Sequence, residues 1–281
     1  APRPVTPGGR IAVVAPGSPV DPDAVERGAE RLRGWGYEVV AGRSLLAATG
    51  DLAGPDEDRA ADLVSAFEAE GVAAAWCARG GWGSARLLDR LDLSRLAASG
   101  RPLIGFSDVS SLLLALWSHG GGGWHAPMVA DLARPERFEV ADLLAMLAHP
   151  ERERVFEPGP QGRLAPGRAE GPLVGGCLSV VAALAGTPYQ PELSGAILFL
   201  EEIGEAPYRI DRMLWQLRAS GMLDGLAGLA FGQLTGCRPQ RGRPSRELGA
   251  ILAEHAQGLG CPALTGLPFG HGERALAVPF G

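Results

Sequence analysis

The chain has 281 residues, 46% of them hydrophobic, and a formal net charge of -6. That is enough apolar material for one large domain or two modest ones, each with a real core. The charge is spread along the chain without a basic stripe or an acidic tail, which argues against nucleic acid and against an anionic membrane surface as partners.

The first half alternates short apolar strands with amphipathic helices. IAVVAPGS (11–18) reads as a buried strand running into a turn. Asp21 and Pro22 start a helix that ERGAERLRGWG carries to a glycine stop. A second strand, EVVAG (38–42), precedes a helix over 56–70 with Leu63 and Phe67 on one face. VAAAWCARGG (72–81) is a third strand ending in glycines, and SARLLDRL (84–91) is helical. RPLIGFSD (101–108) is a fourth strand, followed by a helix over 109–120. Strands and helices alternating at this spacing imply a parallel sheet covered on both faces, a Rossmann-like or flavodoxin-like domain over 1–148.

The character changes near residue 150. ERERVFEPGPQGRLAPGRAEGPL is rich in Pro, Gly and charge and reads as a domain crossing over 149–170 with short strands. A smaller α+β domain is expected over 171–281. It comprises a small-residue helix (177–186), the apolar strand AILFLEE (196–202) and a helix carrying Ile210, Met213, Leu214 and Leu217 at i, i+3, i+4, i+7 after Pro207. A strand (226–234), a helix (245–260) and a tail of loop and strand complete it. A cleft between the two domains is the expected place for a small-molecule site.

Cys77, Cys177, Cys237 and Cys261 are far apart and lack CxxC spacing, so they read as reduced thiols rather than a disulfide framework or a zinc site. No metal-ligand constellation such as HExxH is present, and no metal or organic cofactor is implied. No apolar stretch is long enough to span a bilayer. The opening APRPVTPGGR has neither an initiator Met nor a hydrophobic signal core, a start that a cleaved leader would also leave.

Chemistry concentrates in a few segments. In RPLIGFSDVSSLLLALW, Ser107 sits where a buried strand turns into a helix, with Gly105 two residues before it. This is the mechanical logic of a nucleophile elbow, although GxSxG itself is absent. The backbone N–H of Asp108 would face a developing oxyanion. A serine or aspartate before an apolar helical run is also what an ordinary N-cap looks like, and the segment alone does not separate the two. Gly80, Gly81 and Gly83 in ARGGWG allow close backbone approach to a ligand or simply a strand-to-helix turn. Glu201 and Glu202 end a buried strand and alternate in direction, so that one faces the cleft to orient a histidine while the other faces solvent. Arg209 and Arg212 lie off the apolar stripe of the next helix, as ordinary surface arginines do, and either also suits a substrate carboxylate. Among the histidines, His255 reads as structural, His119 stands beside a helix-stopping glycine and His149 precedes a proline. The spacing ranks His271, between glycines, and His125, after GGGW, together at the top as a general base.

GFSD, RGGWG, HAPM (125–128), GPLVGGCLS (171–179), LFLEEIGEAPYRIDRML and the closing GHGE, in that order, resemble the LD-carboxypeptidase family, which includes the microcin C immunity peptidases. The resemblance runs from about Val14 to the C-terminus, and the ordered set is far more specific than any one motif. It implies Ser107 as nucleophile, Glu201 as the triad carboxylate with Glu202 a lesser candidate, and His271 as base. It implies an oxyanion hole from the N–H groups of Asp108 and of Gly80 or Gly81. The implied reaction removes a terminal D-alanine from the L-centre of a diamino acid in a murein peptide, in a cytoplasmic homodimer. Cleavage of aminoacyl-nucleotide antibiotics within the same family and a non-catalytic ligand-binding protein are the alternatives. One departure stands out: the family usually has asparagine after the GG of GPLxGG, and this chain has Cys177, an exchange that bears on substrate choice.

Overall fold

A computed structural model describes residues 2–156, 158 and 162–281. The chain divides into two compact units, one formed by Ala1–Arg152 with Leu276–Gly281 and the other by Glu153–Ala275.

In the first unit β1 (Arg10–Val14), β2 (Glu38–Ala41), β3 (Val72–Cys77), β4 (Leu103–Gly105) and β5 (Gly123–His125) pair in parallel in the order 2-1-3-4-5. This is the flavodoxin-type doubly wound order, in which ligands gather at the carboxyl ends of the strands where the order reverses. The helices are α1 (Pro22–Gly34), α2 (Asp56–Glu68), α3 (Leu93–Ala98), α4 (Ser110–Ser118) and α5 (Val140–Ala148). In α1, Asp21 accepts the Asp23 N–H at 3.1 Å, Pro22 takes the first turn, and Val25, Ala29 and Leu32 bury one stripe. The segment read as helical over 84–91 forms a 3-10 helix, Ser84–Arg90, because Gly83 at φ 123° turns the chain sharply into it. The three-residue β5 was not evident from the sequence; it is too short to show a period. Its Trp124 and the Trp76 of β3 are fully buried, and the Trp76 indole donates to the Pro127 carbonyl at 2.8 Å.

The second unit holds β6 (Arg163–Ala165), β7 (Leu173–Cys177), β8 (Ile197–Ile203), β9 (Gly228–Thr235) and β10 (Ala263–Leu264), with α6 (Leu178–Leu184), α7 (Pro207–Ala219) and α8 (Leu248–Leu259). The sheet order is β6-β10-β9-β8-β7, parallel throughout except where β6 joins β10. The crossing expected over 149–170 falls partly on residues 157 and 159–161, which lie outside the described residues.

The last strand, β11 (Val278–Phe280), leaves this unit and pairs antiparallel with β5, Val278 opposite His125. Leu276–Gly281 thus belongs to the first unit, a departure from the reading of 171–281 as one domain. A three-residue edge strand carries no pattern that assigns it to a sheet, and Pro279 is tolerated there because an edge strand needs no inward donor at that position. Among the described residues no helix is long and apolar enough to cross a membrane.

Candidate active site

Ser107 follows the end of β4. Gly105 is tightly packed: a Cβ there would lie 3.0 Å from a Val109 methyl carbon and 3.1 Å from the Cys77 Cβ. Phe106 is extended, and Ser107 then takes φ 61° at the start of a single 3-10 turn leading into α4. Only two described non-glycine residues have positive φ, Ser107 and Arg274. The left-handed region costs an L-residue on the order of 1–2 kcal/mol, and such strain persists only where the surroundings impose it. An ordinary N-cap sits in the β region, so this backbone speaks against simple capping as the reason for Ser107.

The loops after β1 and β3 meet this turn. A Cβ on Gly80 would stand 3.2 Å from the Ser107 Cβ and 3.3 Å from the Asp108 nitrogen, so Gly80 is the glycine that abuts the serine. Gly81, at φ 91°, instead abuts Ser18, whose hydroxyl oxygen accepts the Trp82 N–H at 3.1 Å. The Asp108 carboxylate is buried and accepts the Ser84 N–H at 2.8 Å. Burial pushes its pKa up, against the opposing pull of the Ser84 and Gly83 hydrogen bonds. Asp108 thus ties the 80s loop to the residue after Ser107.

Arg59, 1% exposed, was not singled out from the sequence. Its guanidinium donates to the carbonyls of Pro16, of Gly83 at 3.1 Å and of Gly54 at 3.3 Å, and pairs with Asp56. One buried side chain therefore holds three loops of this edge. The available signal was a charge on an apolar stripe, since Arg59 stands four residues before Leu63 on the buried face of α2.

In the second unit Glu201 and His271 come together. Glu201 is fully buried, and its Oε2 lies 2.7 Å from His271 Nδ1. In the tautomer whose Nδ1–H donates to this carboxylate, the unprotonated ring nitrogen is Nε2. Gly270, at φ 120°, permits the approach, because a Cβ there would fall 2.8 Å from Glu201 Oε2. Gln233, also missed from the sequence, fixes the loop: its Oε1 accepts the Gly272 N–H at 2.9 Å and its Nε2 donates to the Glu273 carbonyl at 3.0 Å. Upstream, Phe269 stacks edge-on with Phe199 at 5.2 Å.

Glu202 does not reach solvent; it is 2% exposed, and the pairing of β8 with β9 is irregular between Leu200 and Glu202. The expectation of a solvent-facing partner fails because β8 lies inside a parallel sheet with both faces covered. Glu202 accepts the Ser179 N–H at the start of α6 at 2.7 Å and the Ile203 N–H at 2.8 Å. The Cys177 thiol, in register with Glu201, donates to Glu202 at 3.4 Å. Burial, then the two carboxylates, hold that thiol well above the usual thiol range, so it stays protonated.

Arg209 is exposed on α7, with Glu205 at 3.2 Å and the Tyr208 hydroxyl at 3.1 Å. His125 is buried in β5 with its ring edge-on to Phe106 at 5.5 Å, behind the serine turn. His255 is buried against Asp211 at 2.7 Å, His119 bonds the Ala115 carbonyl at 2.8 Å, and His149 is exposed beside Glu151.

The family model for the LD-carboxypeptidase N-terminal domain matches residues 11–126, and that for the C-terminal domain matches residues 170–281. A Streptomyces coelicolor relative is 43% identical over 100% of this chain and 91% of its own. The murein tetrapeptide carboxypeptidase of Pseudomonas aeruginosa is 37% identical over 97% of this chain and 91% of its own. The crystal structure of a muramoyltetrapeptide carboxypeptidase from Oxalobacter formigenes superposes with a TM-score of 0.83 at 32% identity, covering 97% of this chain and 92% of that one.

Proposed function

The chain belongs to the LD-carboxypeptidase family, and from that premise we propose that it is a serine carboxypeptidase that removes the terminal D-alanine from a murein tetrapeptide. The observation that carries the chemistry is the buried Glu201–His271 pair, in which a carboxylate meets the Nδ1 side of an imidazole. The left-handed backbone of Ser107 supports the serine as its partner.

In the proposed reaction Ser107 Oγ attacks the amide carbonyl carbon while its proton passes to His271 Nε2. Glu201 keeps the proton on Nδ1 and stabilises the imidazolium. The tetrahedral oxyanion is met by the Asp108 N–H and by Gly80 rather than Gly81, a contribution on the order of 3 kcal/mol per donor. The C–N bond breaks, the imidazolium protonates the amine, and D-alanine leaves. Water, deprotonated by the same imidazole, then hydrolyses the ester and restores the serine. Arg209 receives the substrate's terminal carboxylate. Its pair with Glu205 is solvent-exposed and screened, so a substrate can displace it. A cytoplasmic homodimer is part of the same proposal, to be checked by fractionation and light scattering.

The test is mass spectrometry of a murein tetrapeptide incubated with the protein, run beside a processed aminoacyl-nucleotide antibiotic. Loss of one D-alanine, a covalent adduct of a serine-directed phosphonate at Ser107, and a raised KM for Arg209→Ala are expected. Turnover that survives Ser107→Ala would sink the assignment, and cleavage of the antibiotic alone would move the substrate class.

A further inference from the structure

A further cavity lies in the second unit, lined by residues other than Glu201 and His271. A cavity of about 400 Å³ is lined by Tyr208, Asp211, Gln240, Arg243, Ser245 and Arg246, among others. It is built by the two segments that leave neighbouring parallel strands: β8 ends at Ile203 and leads into α7, and β9 ends at Thr235 and leads into 236–247. Glu201 stands two residues before the end of β8, so cavity and pair share the carboxyl edge of one sheet, where ligands of such sheets collect.

The charge in the cavity is uneven. Residues 237–246 hold four arginines and no acid, in a chain whose net charge is -6. Asp211, the acid in the lining, is already engaged: Oδ1 with His255 at 2.7 Å and Oδ2 with Arg246 at 3.3 Å. Arg246 also pairs with Glu254. Arg243 makes no ion pair among the described residues. The cavity begins at Ala206, the N-cap of the 13-residue α7, which has no side-chain cap. A helix start of this kind favours a negative group. The Tyr208 hydroxyl accepts from Arg209 Nε at 3.1 Å, which leaves its own hydrogen free to point outward.

We propose that this cavity is a subsite for a carboxylate of the substrate peptide upstream of the scissile bond, with Arg243 as its main partner. The inference rests on the reading of the chain as a murein-type peptidase and adds to it a preference for acidic peptides. An amine is disfavoured because Asp211 is spent on His255 and Arg246. The volume suits one acidic residue with its backbone, at the small end of the range for ligand pockets.

The experiment uses two synthetic tetrapeptides ending in an L-diamino acid and D-alanine. One carries an acidic residue upstream, and its twin carries the amide. With the acidic peptide Arg243→Gln is expected to raise KM about three- to tenfold, with kcat nearly unchanged, since a solvent-accessible charge pair contributes modestly. The amide twin is expected to show no difference between the variant and the parent, and Arg243→Lys to keep part of the effect. Added salt narrows the gap for the acidic peptide. Equal KM ratios for both peptides, or a kcat loss shared by both, would overturn the subsite. If the parent protein cleaves neither peptide, the peptidase reading itself fails and the subsite falls with it.

Discussion

Glu201 and Glu202 are chemically identical neighbours whose fates are set by which way each points from β8. Glu201 meets an imidazole at 2.7 Å, and Glu202 meets backbone N–H groups at the start of α6. Replacing each by glutamine tests whether Glu201 serves the proposed reaction and Glu202 the fold. Glu201→Gln is expected to lower kcat on the order of a hundredfold or more with a small effect on stability, because the imidazole loses the anion that fixes its tautomer. Glu202→Gln is expected to cost about 1–3 kcal/mol in urea unfolding while kcat stays close to the parent value, because one buried N–H loses its acceptor. The reverse pattern would exchange the two roles. The ordered motifs imply Glu201, Ser107 and His271 together; spacing alone leaves His271 level with His125. The burial of His125 in β5 was not legible, since a three-residue strand has no period.

At the scale of elements, the serine turn depends on loops that bind one another more than on the helices that follow them. Arg59 reaches the carbonyls of Pro16, Gly54 and Gly83, and Gly83 adjoins the Ser84 N–H that Asp108 holds. Asp56 anchors this brace from the start of α2. Hydrogen bonding from Arg86 first, and from Arg59, keeps its carboxyl below the usual carboxylate range. A depressed folded-state pKa contributes stability above the unfolded value, near 3.9, that is lost as pH falls through the folded value. Stability measured by urea midpoint is therefore expected to fall between about pH 5 and pH 3, and Asp56→Asn to flatten that fall while lowering the midpoint at pH 7. An unchanged pH profile in the variant would rule out this carboxylate as a source of the acid sensitivity. A charge on an apolar stripe is the one sequence feature that marks Arg59; which carbonyls it reaches depends on three loops distant in sequence, and no local pattern encodes that.

At the scale of the molecule, the chain leaves its first unit near Arg152 and returns at Leu276, five residues after His271. The returning β11 covers the edge of β5, whose register reaches Gly105 on its other side. Removing residues 276–281 is expected to expose that edge and to speed amide exchange at Trp124 and His125, with a lower melting temperature. Exchange at those amides unchanged from the full chain would show that β11 adds nothing to the first sheet. The alternation of strand and helix did reveal a parallel sheet over the first half. The route home of the last strand left no trace in composition or period.

What the amino-acid order determined by itself was local and periodic: buried strands, helix starts and stops, the glycines that tight turns require, and a set of motifs specific enough to assign the family. These follow from short-range sterics and from the repeat of apolar residues, which act within a few positions along the chain. Tertiary structure alone decided which glycine abuts Ser107, that Arg59 spans three loops, and where β11 pairs. Those outcomes depend on burial and on contacts between residues dozens of positions apart, and long-range packing sets them in a way no window of sequence contains.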